Sequence, residues 1–586
     1  MLHSTHRGTG SAVRRRTSVI IVAWAACWVP SVAFCQTAVK LYEMVEVSMT
    51  NDTSFDNPFT DTELRLNVSA PADRRLGREF TWYGFHDGDG KGGQKGNVWK
   101  FRLLFDEPGT WTVTAGFYKP GTDTANGPEK TFTYTVSDER IRPDEHGHVR
   151  IDPRNPMRFA FDDGTPWVPF SIHSSLLLDR EDPKVSHQWI DEHVERGVNA
   201  LGVRFSSNTD AMKERNQYHW LKSDGSRAES WPDYDGFDYS RFDVASYHHN
   251  EKILDYAQEK GIKLFIWFGI TGLNGQYDTP GPLDHTDDGE MGPLQKLHIR
   301  YLLARWAPYT CWWHWTVASE WEETRRRKGG KAIHVNHARM LTDGNPWKML
   351  ISNHSLGDWE LDGTEDGWGL ATLQKRVGDS KNGLVAGPRR FVEDNDHHGI
   401  PVFNCEGIWQ LSNTTRNRIA TVAHLMAGGF SNIAVWKKGH VDGSFGCNWP
   451  SVIEKHKDSA AALGMLARFF NRRDIDINAC SPAHDLVEVS GGAKVLCLAE
   501  KGVRYYVWAD RGGTPTLDLR GQEGMFEVVR YECANLPAEG GGTKLDSIAG
   551  GGKRSLGACP KSGFGNDYLF AITATEPAIG TTSAGP

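Results

Sequence analysis

The chain has 586 residues and a formal net charge of −8, a length that exceeds one core and implies several domains. With no basic stripe, this modest acidic balance argues against a nucleic-acid partner. The 22 Trp are several times the usual share, and Trp rings suit flat apolar ligand faces as well as cores.

Residues 1–35 read as an export signal. Arg14, Arg15 and Arg16 form its charged start, Ser18 to Val32 is apolar but short for a membrane span, and Ala33 and Cys35 permit cleavage before Gln36. A lipoprotein anchor at Cys35 is an alternative that Phe34 disfavours, and the arginines match a twin-arginine signal weakly. No later segment reads as a membrane span, so a secreted or periplasmic location is expected. Seven cysteines remain after cleavage. Cys311 and Cys405 fall in apolar runs and read as buried thiols. Cys480, Cys497, Cys533 and Cys559 cluster near the C-terminus, where two disulfides are expected in an oxidising compartment.

Over residues 36–140 short alternating runs are separated by turns: "VEVSMT", "ELRLNVSA", "EFTWYGFHDGDG", "VWKFRLLFDEPGTWTVTAGF" and "KTFTYTVS". They predict a β-sandwich. "DGDGKGG" reads as a turn rather than a calcium loop, because the trailing Glu of such a loop is absent.

Over residues 141–473 the pattern changes to apolar runs alternating with helical segments. The runs are 166–172, 199–205, 262–268, 311–319, 347–353, 368–374, 400–406 and 431–437. Helices are predicted at "KVSHQWIDEHVERG", "VASYHHNEKILDYAQEKG", "LQKLHIRYLLARWA" and "RNRIATVAHLMAGG", several of them stopped by Gly. Eight strand–helix repeats predict a (β/α)8 barrel. Residues 474–575 return to strands ("DLVEVS", "KVLCLAE", "RYYVWAD", "PTLDLRG", "FEVVRYE", "YLFAIT") and predict a second sandwich. Residues 576–586 form a Gly/Ser/Thr/Pro-rich tail, expected to be disordered.

In such barrels the chemistry lies at the C-terminal ends of the strands. Glu320 follows the fourth run, "CWWHWTVAS", and Glu406 ends the seventh, "IPVFNCE". The fourth and seventh strands face each other across a barrel mouth. Two opposed carboxylates suit glycosidic cleavage, one protonating the leaving oxygen and the other attacking the anomeric carbon or activating water. Glu322 and Glu323 are rivals to Glu320, but lie further off the strand, where the next helix begins. His173 and His354 sit at the ends of strands one and five, just after their runs, and are candidates to bond sugar hydroxyls. Trp267 and Trp409 are candidate stacking platforms. The acidic loop 283–290 reads as solvated rather than as a cation site. The sequence lacks HExxH, GxSxG, P-loop and paired CxxC motifs, which removes the simplest support for peptidase, esterase and nucleotide chemistry.

The barrel resembles the large clan of retaining glycoside hydrolases with (β/α)8 barrels and glutamates ending strands four and seven. "HIRYLLARWAPY" leading into "CWWHWTVASEWEE" looks like that clan's approach to its acid/base. The resemblance implies Glu320 as acid/base and Glu406 as nucleophile. It implies Arg204, in "LGVRF", as the residue that holds the nucleophile, and Trp436 as an aromatic platform. The clan usually has Asn before the acid/base; here Ser319 stands there, which puts the contact to the sugar 2-hydroxyl in doubt. The flanking "KLYEMVEVSMT" to "WTVTAGF" looks like the immunoglobulin-like domain that precedes many bacterial barrels of this clan, and the last domain resembles their C-terminal sandwich. The expected partner is a poly- or oligosaccharide, with no metal or organic cofactor. Two other readings stay open: a carbohydrate-binding barrel without activity, which the Ser319 departure favours, and a polysaccharide lyase using Arg204 and His354.

Overall fold

The computed structural model describes residues 36–71, 79–175, 177–178, 181–205, 218–227, 236–271, 281–324, 329–357, 359–361, 367–375, 377, 383–408, 413–434 and 451–575. The expected export signal, Trp409, Trp436 and the tail 576–586 lie outside these described residues.

The N-terminal region forms two sheets. One has five strands in the spatial order Gln36–Leu41, Ala125–Arg140, Gly109–Tyr118, Glu63–Ser69, Glu79–Tyr83; the other has three, Glu43–Thr50, Val98–Phe105, Phe85–His86. Alternation along Val98–Phe105 explains its two buried faces. Trp99, Phe101 and Phe105 point at the other sheet, with ring centroids 5.2–5.5 Å from Phe117, Phe132 and Trp111. Lys100 and Arg102 point the other way, Lys100 onto Asp87 and Arg102 onto Glu251 of the helix Val244–Glu259. Asp87, in the "DGDGKGG" segment, pairs with Lys100, His248 and Arg305. Asp89 accepts the Lys91 and Gly93 amides, each at 2.8 Å, so its carboxylate closes the turn.

The central unit is a nearly closed barrel of parallel strands. Its sheet runs Leu350–Ser352, Trp312–Thr316, Lys263–Phe268, Ala200–Arg204, Ser171–His173, Phe430–Ile433, Val402–Ile408, Ala371–Leu373, His354–Ser355. Each of the eight predicted runs overlaps one of these strands. The fifth run and the two residues after it supply the two ends of the order, because the strand breaks at Asn353. Leu350–Ser352 pairs with the fourth strand and His354–Ser355 with the sixth. The sequence reading of the first run as one strand is corrected. Pro166–Trp167 instead pairs with Asn155–Phe161, which pairs with Val149–Asp152, in a small antiparallel sheet. Phe159 and Trp167 from this sheet pack on Trp313, with centroids 5.4 and 5.2 Å away, and form the barrel floor. A register shift between the third and fourth strands makes room for this contact, since Leu264 faces Trp312 while Phe265 faces His314. Extra residues of this kind re-aim side chains.

Beyond the helix Ser451–Phe470 come a six-stranded and a three-stranded antiparallel sheet. Tyr531 packs edge-on against Phe469 at 4.9 Å, and Arg418 of the helix Thr414–Ala427 pairs with buried Asp567. The expected disulfides do not form: Cys480, Cys497, Cys533 and Cys559 are all free. Nearness in sequence does not bring the sulfurs together. Cys497 lies in the core between the two sheets, Cys480 and Cys533 lie in the large core shared with the barrel, and Cys559 is half-buried. Among the described residues no helix is long and apolar enough to cross a membrane.

Candidate active site

The side chains at the C-terminal ends of the barrel strands form one connected belt. It starts at Glu406, on the seventh strand Val402–Ile408, a strand buried throughout. Pairing with the eighth strand is irregular between Asn404 and Ile408, so Glu406 sits in a bulge. Asn404 fixes this bulge from one side: its amide donates to the Lys375 carbonyl at 2.9 Å and its oxygen accepts the Lys375 N–H at 3.3 Å. Gly407 is required beside it, because a Cβ there would stand 2.1 Å from the Asn404 amide nitrogen.

His173 Nδ1, from the first strand, stands 4.0 Å from Glu406 Oε1. Both side chains are buried. Burial first, then the Arg204 guanidinium and His354, hold the His173 imidazole well below its usual pKa, so it stays neutral. Its ring stacks on Trp267 of the third strand, centroids 4.4 Å apart and planes 14° apart. Arg204 lies over the same indole, 5.1 Å from the ring centre. Its aim comes from a second register shift, between Val203 and Arg204. Gly202 on that strand makes space: a Cβ there would lie 2.6 Å from the Phe265 ring and 2.9 Å from the His173 ring.

Trp267 continues the belt to His354, edge-on at 6.3 Å. The His354 Nδ1 and Ser319 Oγ share a hydrogen bond of 2.9 Å, both residues being buried. Burial pulls His354 down to about 4, so it too is neutral at working pH. Next to Ser319 stands Glu320, partly exposed, with φ +53° in the left-handed region. Glu320 and Glu406 both raise the proton affinity of the buried Cys405 thiol, after burial itself, so both carboxylates lie within electrostatic reach of one point. Contacts thus run from Glu406 through His173, Trp267 and His354 to Ser319, the residue that precedes Glu320 in the chain.

The structure brings together Glu320, Glu406, Arg204, Ser319, His173, His354 and Trp267. Glu322 lies elsewhere: it is in the short helix Trp321–Thr324, where its carboxylate accepts the Leu356 N–H at 2.9 Å, and burial raises its pKa. The Glu323 side chain is outside the described part. In the acidic loop, Asp284 accepts the amides of Leu294 and Gln295 and so serves the first turn of the helix Pro293–Trp306. Sequence reasoning missed Gly202, Asn353, Asn404 and Ser355. Only Gly202 carried a signal, a glycine inside an apolar strand, which marks close approach.

Residues 38–118 match a family model described as a domain of unknown function, DUF5060. No curated protein matches the chain. Among solved structures, a candidate glycoside hydrolase from Bacteroides vulgatus ATCC 8482 superposes with a TM-score of 0.63 at 17% identity, over 92% of this chain and all of that one. A protein named glycoside hydrolase gives 0.53 at 14%, over 73% of this chain and 97% of its own. A family 5 glycoside hydrolase from Bacteroides vulgatus ATCC 8482 gives 0.53 at 13%, over 74% and 95%. The chain has their barrel fold. At these identities the likeness concerns fold, and function rests on the site.

Proposed function

We propose that the chain is an exported glycoside hydrolase that cleaves O-glycosidic bonds of a poly- or oligosaccharide with retention of configuration. The belt of contacts from Glu406 to Ser319, with Glu320 next in the chain, carries this reading. Glu406 is the nucleophile: its carboxylate attacks the anomeric carbon as the glycosidic C–O bond breaks. Glu320 gives its proton to the departing oxygen. In the second step Glu320 takes a proton from water, the water oxygen bonds to the anomeric carbon, and the Glu406 ester is released. Buried Glu406 lies close to its neutral neighbour His173, while partly exposed Glu320 has access to water. The names of the structural neighbours point the same way.

The finer organisation belongs to this proposal: a cleaved signal over 1–35, an immunoglobulin-like unit over 36–140, the catalytic barrel over 141–473, a closing sandwich over 474–575 and a tail after it. Arg204 and Trp267 would contact sugar or nucleophile, and Trp409 and Trp436 would add aromatic platforms.

The test is a glycan panel followed by two variants. Glu406→Gln should lose activity on every substrate by orders of magnitude, roughly 10⁴-fold or more. Glu320→Ala should still release dinitrophenolate from a dinitrophenyl glycoside in a burst, then stall, because that leaving group needs no proton but deglycosylation needs a base. Azide should relieve the stall and yield a glycosyl azide of retained configuration. Retained azide product from Glu406 variants, with inverted product from Glu320 variants, would exchange the two roles, because azide that stands in for a missing nucleophile displaces the leaving group once, with inversion. Turnover of uronate polymers alone, with unsaturated products, would replace hydrolase by lyase, and absence of any turnover would leave a binding barrel.

A further inference from the structure

We propose that Ser319, Trp321 and Glu322 are positioning residues that pin Glu320 to the broken end of the fifth barrel strand; this rests on the reading of Glu320 as acid/base. The backbone ladder between the fourth and fifth strands stops at Thr316–Ser352. Past that point the fifth strand turns away at Asn353 to pair with the sixth, and the fourth strand loses its regular partner. The two segments nevertheless stay joined in step. The Val317 N–H donates to the Ser352 carbonyl at 2.8 Å, the Ala318 N–H to the Asn353 side-chain oxygen at 2.8 Å, and the His354 N–H to the Ala318 carbonyl at 3.0 Å. Side chains then take over from the backbone. Ser319 Oγ bonds His354 Nδ1 at 2.9 Å, Trp321 Nε1 donates to Ser355 Oγ at 2.7 Å, and the Leu356 N–H donates to Glu322 Oε1 at 2.9 Å.

Residues 319, 321 and 322 are therefore fixed to 354, 355 and 356 in order. Glu320 stands between these anchors, one residue after Ser319 and one before Trp321. Its φ of +53° is unfavourable for a residue with a Cβ. Such a conformation persists only where the surroundings over-determine it, and the anchors on both sides of Glu320 provide that. Ser319 is short enough to reach His354 while lying flat against the strand end. In this arrangement the Ser in place of Asn serves the geometry of the next residue. Glu322 is a tether here, which accounts for a half-buried carboxylate two residues past Glu320 that takes no part in the chemistry.

The experiment compares Glu322→Leu, Glu322→Gln and Ser319→Ala in the full chain. Each is assayed on an oligosaccharide and on a 2,4-dinitrophenyl glycoside of the sugar that wild type accepts. Misplacing a proton donor by an ångström costs on the order of 100-fold. Glu322→Leu should lose about that in kcat on the oligosaccharide with KM little changed, and keep the dinitrophenolate burst rate. Glu322→Gln retains an oxygen for the Leu356 N–H and should recover most of the loss. Ser319→Ala should show the same split between substrates. Equal losses on both substrates, or no loss, would overturn the proposal, as would a Glu322→Gln variant as inactive as Glu322→Leu and rescued by azide. A wild type without glycosidase activity defeats the hydrolase reading separately. The tether is then judged by the crystal structure of Glu322→Leu: residue 320 leaving the left-handed region supports it, and residue 320 unmoved overturns it.

Discussion

His173 Nδ1 lies 4.0 Å from Glu406 Oε1 while the same ring stacks on Trp267, and Gly202 alone leaves room for that ring. Gly202→Ala would place a methyl 2.9 Å from the His173 ring and 2.6 Å from Phe265. Both rings are buried, so the strain has no outlet toward solvent. Overpacking of this kind costs about 1–3 kcal/mol. The shift of His173 should also lower kcat/KM by roughly tenfold or more through a displaced Glu406. Thermal melts and steady-state kinetics on the same preparation check both parts; wild-type activity in a destabilised variant would show that His173 does not set the nucleophile.

The two-sheet N-terminal unit is tied to the barrel by buried charges. Arg305 is fully buried; it donates to Asp87 at 2.8 Å and to both oxygens of Glu251 at 2.6 and 2.9 Å. Arg102 donates to Glu251 at 2.8 Å. Burial opposes ionisation of Glu251, but Arg102 and Arg305 outweigh it and pull its pKa to about 2. Arg305→Leu leaves two buried carboxylates short of a partner and should destabilise by about 3–5 kcal/mol. Arg305→Leu combined with Glu251→Leu should recover part of the loss, since apolar replacement of a whole pair is often tolerated. Denaturant unfolding of the single and double variants measures the difference; a neutral single variant would mean the unit docks by apolar contact alone.

The barrel was legible because its strands are buried on both sides and so read as continuous apolar runs. The same rule misread Pro166–Trp167, which is equally apolar but packs under the barrel floor against Trp313. Strand-end glutamates could be found by position. The register shifts at Arg204, His314 and Glu406 could not, because an extra residue in a strand leaves no mark on an apolar pattern. The side-chain rungs from Ser319 to Glu322 were also invisible, since they depend on the fifth strand changing partner at Asn353. The cysteines were misjudged because their count and spacing say nothing about which side of a sheet each sulfur faces.

Acid should unfold this protein early. His148, His193, His298, His314, His334, His337, His354 and His424 are all buried, and burial pulls each from about 6.5 down to about 3 or 4. The folded state keeps them neutral while the unfolded chain protonates them below pH 6.5. Their contribution is complete above that pH and is lost as pH falls toward the folded values. Each removes about 1.4 kcal/mol per pH unit in that window, so even two outweigh most single contacts. Asp255 acts in the opposite sense, because burial raises it to about 6 and the fold gains as it protonates; one such group does not offset eight. Stability should fall steeply from pH 6.5 to 5, with several protons taken up on unfolding. Calorimetry in buffers of different ionisation heat counts those protons, and a flat profile over this range would contradict the burial of the histidines.

Backbone strain at Glu320 gives a prediction that needs no substrate. A residue with a Cβ at φ +53° is less favourable there than Gly by about 1–2 kcal/mol. Glycine also loses more chain entropy on folding, which takes back about 0.5–1 kcal/mol. The first effect is larger, so Glu320→Gly should be more stable than Glu320→Ala by roughly 0.5–1 kcal/mol, although both lack the acid/base. The comparison of Gly with Ala removes the carboxylate from both and isolates the backbone. Anywhere else along the fourth strand the order should reverse, because extended backbone favours Ala over Gly. Equilibrium unfolding of the two variants reads the difference directly. An Ala variant as stable as the Gly variant would mean that the backbone relaxes once the carboxylate is gone, and that the left-handed turn is imposed by the side chain rather than by its anchored neighbours.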